Sequence, residues 1–150
     1  MLNIKLSFKI IIFGFIFTFF SSFGQSFFIG LFNSNIRLDL NISHGQFGTI
    51  YALATLVSSF TLIWVGKKID NLRLISFSLF VILLLFFSSI FFSFVSSIYL
   101  LFIGIFLLRL SGQGLMSHTA TTSISRYFNL NRGKALSITW LGLSAAEFIM

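Results

Sequence analysis

Two ionisable side chains, Arg109 and Glu147, lie within long apolar stretches of this sequence. A charged group in membrane hydrocarbon is costly, so such residues are rare and mark a functional site by default. At 1.5 Å per helical residue, Arg109 lies about 25 Å from Arg126 and Glu147 about 20 Å from Lys134, so both reach a similar depth. A guanidinium and a carboxylate at one depth can neutralise each other. We therefore predict an Arg109–Glu147 pair that faces a polar cavity. The alternative is a purely structural pair that locks two helices together.

Further polar side chains fall at the same depth. Counted from the nearest cationic loop residues, Gln25 and Tyr51 lie about 24 Å deep. Gln113 is one helical turn beyond Arg109 and shares its face. His118 is nine residues from Arg109, which places it about 180° around the helix axis, so it faces elsewhere. The uncharged residues have an alternative role in ordinary hydrogen bonding between helices. The predicted solute site consists of Arg109, Gln113, Glu147, Gln25 and Tyr51.

The composition indicates which elements hold these side chains. The 150 residues are 57% hydrophobic and 9% charged, with 23 Phe and neither Cys nor Pro. So few charges cannot cover the surface of a water-soluble globule, which excludes an ordinary soluble enzyme. A disordered segment and a disulfide scaffold are excluded as well. Without Cys there are no thiolate ligands, and we expect no metal site and no cofactor.

Charge-free runs predict the membrane spans, because a spanning helix needs about 20 apolar residues. The runs are continuously apolar, which favours helices over a β-barrel. We predict an all-α polytopic membrane helix bundle with helices at about 10–32, 46–65, 74–95, 98–123 and 135–150. The fifth helix is still running where the sequence stops. We interpret the chain as the N-terminal fragment of a longer protein whose C-terminal half is missing.

Two local patterns refine these spans. Ser43 and Gln46 have the spacing of a capping box, which predicts that helix 2 begins there. Helix 3 contains no polar side chain other than Ser, so we expect it at the periphery of the bundle. Helices 1, 2, 4 and 5 carry larger polar groups or glycines and are expected to line the interior.

Lys and Arg are distributed unevenly between the two sides of the predicted bundle. The N-terminus, loop 2–3 and loop 4–5 carry eight of them, and the opposite side carries only Arg37. The positive-inside rule then predicts a cytoplasmic N-terminus in a bacterial inner membrane or a plasma membrane. This role as topology determinants near anionic lipid accounts for the net charge of +7, so no nucleic-acid partner is expected. A cleaved signal peptide is the alternative for the first run, but no A-x-A site follows it.

Three short motifs resemble those of the major facilitator superfamily. Residues 66–70, G-K-K-I-D, resemble its signature loop G-x-x-x-D-R-x-G-R-R, although Asn71 replaces a cation and the later Gly is absent. Residues 109–114, R-L-S-G-Q-G, resemble the buried-arginine motif of helix 4, closest to the monocarboxylate and oxalate/formate branches. Residues 126–135 resemble the loop 4–5 motif, in which an aromatic-basic segment precedes R-G-x-A. The motifs occur in the family's order, and the resemblance covers nearly the whole chain, from about Phe13 to Met150.

This resemblance implies a secondary active transporter that moves a small solute by alternating access, with an organic anion as one candidate solute. Two halves built of inverted repeats would rock around a central site. Arg109 would engage an anionic substrate or a proton-coupling partner, and Asp70 with its neighbouring cations would form a cytoplasmic latch. The implied partners are the solute, a coupled proton or counter-solute, and membrane lipid. The residues carried over for the loops are Gly66, Asp70 and Arg73 in loop 2–3, and Arg126, Arg132 and Gly133 in loop 4–5.

Two other classes of function stay open at this point. A membrane-embedded enzyme would need a catalytic cluster, such as paired carboxylates. The three acidic residues, Asp39, Asp70 and Glu147, are widely dispersed along the sequence. A multi-pass membrane subunit without transport activity is the second alternative.

Overall fold

A computed structural model describes residues 4–129 and 131–150, with side chains for residues 8–129 and 131–150. Helix dominates these ranges, and they contain no β-strand. The prediction of an all-α bundle is therefore confirmed. The α-helices are α1 (Ile4–Phe20), α2 (Ser26–Leu31), α3 (Asn33–Asp39), α4 (His44–Gly66), α5 (Lys68–Asn71), α6 (Leu74–Ser93), α7 (Ile98–Leu108), α8 (Ser117–Tyr127) and α9 (Arg132–Ile149).

Four helical stretches are long and apolar enough to cross a membrane. They are Phe8–Leu31, His44–Asn71, Leu74–Ser93 and Ile98–Tyr127, and we refer to them as spans 1 to 4. Such stretches need about 20 residues to cross the hydrocarbon. The protein is therefore an integral, multi-pass membrane protein. Helix α9 follows as a fifth helix, and it carries Arg132, Lys134 and Glu147 along its length.

Span 2 begins at the predicted capping box. The Gln46 backbone N–H donates to Ser43 Oγ over 3.2 Å, and the Ser43 backbone N–H donates to Gln46 Oε1 over 2.8 Å. Each side chain therefore pairs with a backbone N–H that would otherwise lack a partner at the helix start. The capping-box prediction is confirmed, and α4 starts at His44 directly after Ser43.

Span 1 is not the continuous helix predicted at 10–32. Helix α1 ends at Phe20, a 3₁₀ turn occupies Ser21–Gly24, and Gln25 is extended before α2 begins. We call Ser21–Gln25 the break. Small and polar residues are tolerated within membrane helices, so the sequence itself carries no strong stop signal here. The break exists because neighbouring backbone packs against it, which is a tertiary effect.

Span 4 is also irregular, and its irregular part faces the break. Between α7 and α8, Arg109–Met116 forms a π-helical segment, here called the π segment. The break and the π segment pack against each other through two glycines. A Cβ added to Gly112 would lie 2.6 Å from the Gly24 backbone nitrogen, closer than any real side chain approaches. Glycine at both positions thus lets two backbones touch.

Span 4 occupies the centre of the described bundle. Helix α1 packs against α8 and α9, while α4 and α6 both pack against α7 and the π segment. Span 4 has 56% of its most apolar window buried, whereas span 2 has only 11%. Span 3 contacts span 4 along one face and leaves the rest exposed, as expected for a peripheral helix. Span 2 was expected to line the interior, yet a smaller share of its window is buried than in span 3.

Candidate functional site

The centre of the candidate site is Arg109, which lies at the first position of the π segment and is only 7% exposed. Its Nη1 donates to the Gly24 carbonyl oxygen over 3.2 Å and to Ser26 Oγ over 3.3 Å. The break supplies the first acceptor, because residues there do not continue the α-helical hydrogen-bond ladder. A guanidinium between two spans is thus held by the irregular backbone of the other span.

Tyr51 of α4 completes the arrangement. The Arg109 Cζ atom lies 5.1 Å from the centre of the Tyr51 ring, within the range of a cation–π contact. The Tyr51 hydroxyl donates to Ser26 Oγ over 2.8 Å. Ser26 Oγ therefore accepts from two donors and keeps its own O–H available. Spans 1, 2 and 4 meet at this point, which we call the arginine site.

One edge of the Arg109 guanidinium has no partner within the described part of the chain. Nε is buried without a hydrogen bond, and Nη2 makes none to a described residue. Buried donors are almost always satisfied, so an orphan donor requires an explanation. The Nε and Nη2 hydrogens form a planar fork that matches the two oxygens of a carboxylate. This edge of the guanidinium is therefore the part of the arginine site whose donor geometry matches a carboxylate.

Polar side chains continue from the arginine site along α8. Ser117, Thr121 and Ser125 follow each other at i, i+4 spacing, and His118 and Thr122 lie beside them. We call these five residues the polar stripe, since they share one side of the helix. Four of them are half-buried, and the hydroxyl oxygens of Ser117 and Ser125 are buried without a partner. Buried hydroxyls without a protein partner are normally satisfied by ordered water.

The polar stripe ends where loop 2–3 is fixed to span 4. Arg126 Nη2 donates to Asp70 Oδ1 over 2.9 Å and to the Ile69 carbonyl oxygen over 2.8 Å. We call these two bonds the loop clamp. Gly66 lies beside the His118 ring, and a Cβ added there would be 3.4 Å from the imidazole. The side chains of Arg126 and Asp70 are 33% and 69% exposed, so solvent screens their attraction.

The family model of the Major Facilitator Superfamily matches residues 14–150, and this range includes the arginine site and the loop clamp. The chain belongs to the major facilitator superfamily. Proteins of this superfamily are membrane transporters that handle small solutes, so the protein is a membrane transport protein. Neither the comparison with curated proteins nor the comparison with solved structures gives a match.

Within this superfamily chain, the predicted Arg109–Glu147 pair is wrong. Arg109 binds the break and Tyr51, and the ion pair that the described residues do form joins Arg126 to Asp70. Glu147 is exposed on α9, whereas its neighbour Ala146 is fully buried. The depth argument ignored the direction in which each side chain points. Helix α9 packs against α1 and α8 with the face that carries Gly142 and Ala146, and Glu147 lies outside that face, so equal depth does not bring the charges together.

The other predicted cavity residues lie around the arginine site in different ways. Tyr51 contacts Arg109 directly. Gln25 is half-buried in the break, between the two residues that accept from Arg109. Gln113 is half-buried in the π segment, where hydrogen bonds run from i to i+5 and α-helical spacing no longer defines a face.

Gly24 and Ser26 are the site residues that the sequence analysis missed. Both lie in the run S-S-F-G-Q-S at 21–26, which is rich in small and polar residues. That composition within an otherwise phenylalanine-rich span was the available signal for a local departure from the helix.

The loop residues separate into two groups. Asp70, Arg126 and Gly66 take part in the loop clamp or its surroundings. Arg73 was expected beside Asp70, but it precedes α6 with an exposed side chain, and Asp70 pairs with Arg126 instead. Arg132 and Gly133 lie exposed at the start of α9.

Proposed function

We propose that the protein is a secondary active transporter that moves a small organic anion through the membrane by alternating access. The observation that carries this proposal is the unpaired edge of Arg109 in a buried site. A cation in hydrocarbon is stabilised by an opposite charge, and none of the described carboxylates lies within salt-bridge distance of it. A negatively charged solute is the partner that this environment favours.

The geometry of Arg109 supports a carboxylate in particular. Nη1 is occupied by the Gly24 carbonyl and Ser26 Oγ, which fixes the plane of the guanidinium. The remaining Nε and Nη2 donors then point in a fixed direction and can hold both oxygens of one carboxylate. The free O–H of Ser26 adds a further donor nearby. Tyr51 covers one face of the guanidinium and limits access of water.

The polar stripe supports a solute path between the arginine site and the loop clamp. A charged solute needs polar partners along its whole way through the hydrocarbon. The side chains of α8 supply such partners over about two turns, from Ser117 to Ser125. The loop clamp then acts as the latch at the cytoplasmic end, held closed in one state of the cycle and opened in the other. Movement of a proton or a counter-solute drives the cycle.

Uptake of radiolabelled monocarboxylates and their neutral amides into cells or proteoliposomes tests the proposal. Arg109→Gln should reduce carboxylate uptake by roughly 10- to 100-fold, the value of one or two charge-assisted hydrogen bonds. Arg109→Lys keeps the charge but loses the planar fork, so it should recover only part of the uptake.

The matched control is Lys9→Gln, which removes an exposed cation from the start of span 1. It should leave carboxylate uptake unchanged. Carboxylate uptake that survives in Arg109→Gln, or uptake of amides and carboxylates at equal rates by the unaltered protein, would contradict an anion-selective site.

A further inference from the structure

His118 is the titratable side chain of the polar stripe, and the proposed function leaves it without a role of its own. It lies on the continuous helix between Arg109 and Arg126, about 14 Å along the axis from the first and about 12 Å from the second. Its side chain is half-buried against Gly66, the last residue of α4. His118 is therefore positioned between the arginine site and the loop clamp, beside the path that the proposed function gives to the solute.

Gly66 provides the space that the imidazole occupies. A Cβ added to Gly66 would lie 3.4 Å from both Cδ2 and Nε2 of His118. One turn earlier on α4, Leu62 packs against Gly114, where an added Cβ would lie 3.2 Å from Leu62 Cδ1. The imidazole thus contacts the backbone of α4 at the point where that helix leads into loop 2–3.

Charged groups around His118 are either engaged with other partners or exposed. Helix α8 packs against α1, α9 and the π segment, and it meets α4 at the imidazole. Arg109 lies against Tyr51, and Arg126 pairs with Asp70. Among the described side chains, no carboxylate lies within salt-bridge distance of the imidazole. The other charged or titratable side chains described on these elements and on loop 2–3 are exposed: Lys9, His44, Lys67, Lys68, Arg73, Tyr127, Arg132, Lys134 and Glu147.

Polar groups on both sides of the imidazole along α8 favour water beside it. The hydroxyl oxygens of Ser117 and Ser125 are buried without a hydrogen-bond partner, and Ser117 is only 8% exposed. Ordered water normally satisfies buried hydroxyls of this kind. Water bound along the polar stripe gives a proton a way to reach the ring of His118.

We propose that His118 carries the coupled proton, which makes the protein a proton–carboxylate symporter; this inference rests on the proposed function and specifies its coupling ion. Histidine is the side chain that most readily changes its charge between about pH 5 and pH 8. The unprotonated ring nitrogen takes a proton from water on one side of the membrane, and the imidazolium returns a proton to water on the other side. The carboxylate supplies the opposite charge, so the two cross together without net charge.

The contact with Gly66 links the proton to the loop clamp. Asp70 and the Ile69 carbonyl follow Gly66 closely in the sequence, so opening of the loop clamp frees the backbone against which the imidazole packs. While the clamp is closed, a charge on the half-buried ring lacks an acceptor and is costly, and a carboxylate beside it lowers that cost. Proton and solute therefore bind together in the closed state. After opening, water solvates each of them separately and both leave.

The experiment uses the protein in proteoliposomes with a radiolabelled monocarboxylate, and uptake into protein-free vesicles is subtracted because the neutral acid crosses lipid unaided. Uptake is driven by an inward proton gradient in one arm. The other arm measures exchange with the same solute on both sides at equal pH, which does not require the proton to dissociate. A one-to-one symporter should accumulate the carboxylate about tenfold for each pH unit of gradient.

His118→Gln keeps a polar side chain but cannot take up a proton. It should lose the accumulation driven by the proton gradient and keep the exchange rate within about twofold of the unaltered protein. The matched control is His44→Gln, which replaces the other histidine of the sequence. His44 is exposed at the start of α4, outside the polar stripe, so this variant should accumulate the carboxylate as the unaltered protein does.

Exchange without accumulation in the unaltered protein would overturn this inference and leave the proposed function intact, whereas the absence of exchange would overturn both. The inference also fails if His118→Gln accumulates as much carboxylate as His44→Gln, or if it elutes as a monodisperse protein but no longer exchanges the solute. A pH-sensitive dye inside vesicles with the unaltered protein gives an independent check. Carboxylate added outside should acidify the lumen faster than in protein-free vesicles, and equal rates would overturn the assignment of the proton.

Discussion

The contact between Gly24 and Gly112 leads to a sharp prediction for Gly112→Ala. The added Cβ would lie 2.6 Å from Gly24 N, 2.8 Å from Gly24 Cα and 3.2 Å from the Ser21 carbonyl oxygen. All three are backbone atoms, which cannot rotate away as a side chain can. Because ordinary Cβ contacts begin at 3.4 Å, the break and the π segment must separate by about 0.8 Å, at a cost of roughly 1–3 kcal/mol.

This separation also reaches the arginine site. The Arg109 Nη1–Gly24 carbonyl distance is 3.2 Å, so a further 0.8 Å or so of displacement takes it beyond hydrogen-bond range. Gly112→Ala should therefore lower stability and carboxylate uptake together. The apparent melting temperature of the purified protein should fall by about 2–4 °C for each kcal/mol lost.

The control for this experiment is Gly48→Ala. Gly48 lies within α4, and no atom lies within 4 Å of the Cβ that would be added there. Alanine favours a helix over glycine by about 0.5–1 kcal/mol, so this variant should be neutral or slightly more stable. If Gly112→Ala melts at the same temperature as Gly48→Ala and transports normally, the two backbones do not touch and the reasoning is refuted.

Three further predictions concern the arginine site, the loop clamp and α9. Tyr51→Phe keeps the ring over Arg109 but removes the bond to Ser26, so carboxylate affinity should weaken by only about 2- to 10-fold in a binding titration; abolished binding would contradict this. Asp70→Asn should slow the turnover of bound solute more than it weakens binding. Stopped-flow transport measures the turnover and an equilibrium titration measures the binding; weaker binding with normal turnover would exclude the latch. Because Arg109 and Glu147 do not pair, the changes Arg109→Lys and Glu147→Gln should affect uptake additively within about 0.5 kcal/mol in a double-mutant cycle, and a coupling above about 1 kcal/mol would restore the pair.

The sequence predicted those features that depend on local composition. Apolar runs free of charge located the helices, because the hydrocarbon excludes charged side chains regardless of tertiary context. The capping box at Ser43 and Gln46 was equally predictable, since both of its bonds form within four residues. The buried position of Arg109 followed from the same kind of local argument.

Features that depend on the meeting of distant segments could not be predicted in this way. The break in span 1 is stabilised by glycine contacts with a segment more than 80 residues away. The partners of Arg109 and Asp70 come from other helices, and depth along a helix axis constrains only one of the coordinates that a contact requires. Glu147 shows the consequence, because it has the expected depth but a different direction.

The arginine site and the loop clamp lie at the two ends of one continuous helical segment, which we call the rod. From Arg109 to Arg126 the backbone stays helical, through the π segment and α8, over about 25 Å. If this rod pivots near Arg109 by about 5° when a solute arrives, its far end moves by about 2 Å. A displacement of that size, with the side chains held fixed, lengthens the 2.9 Å contact between Arg126 and Asp70 beyond hydrogen-bond range. In the proposed transport cycle, a pivot of this kind would couple solute binding deep in the membrane to release of the loop at the surface.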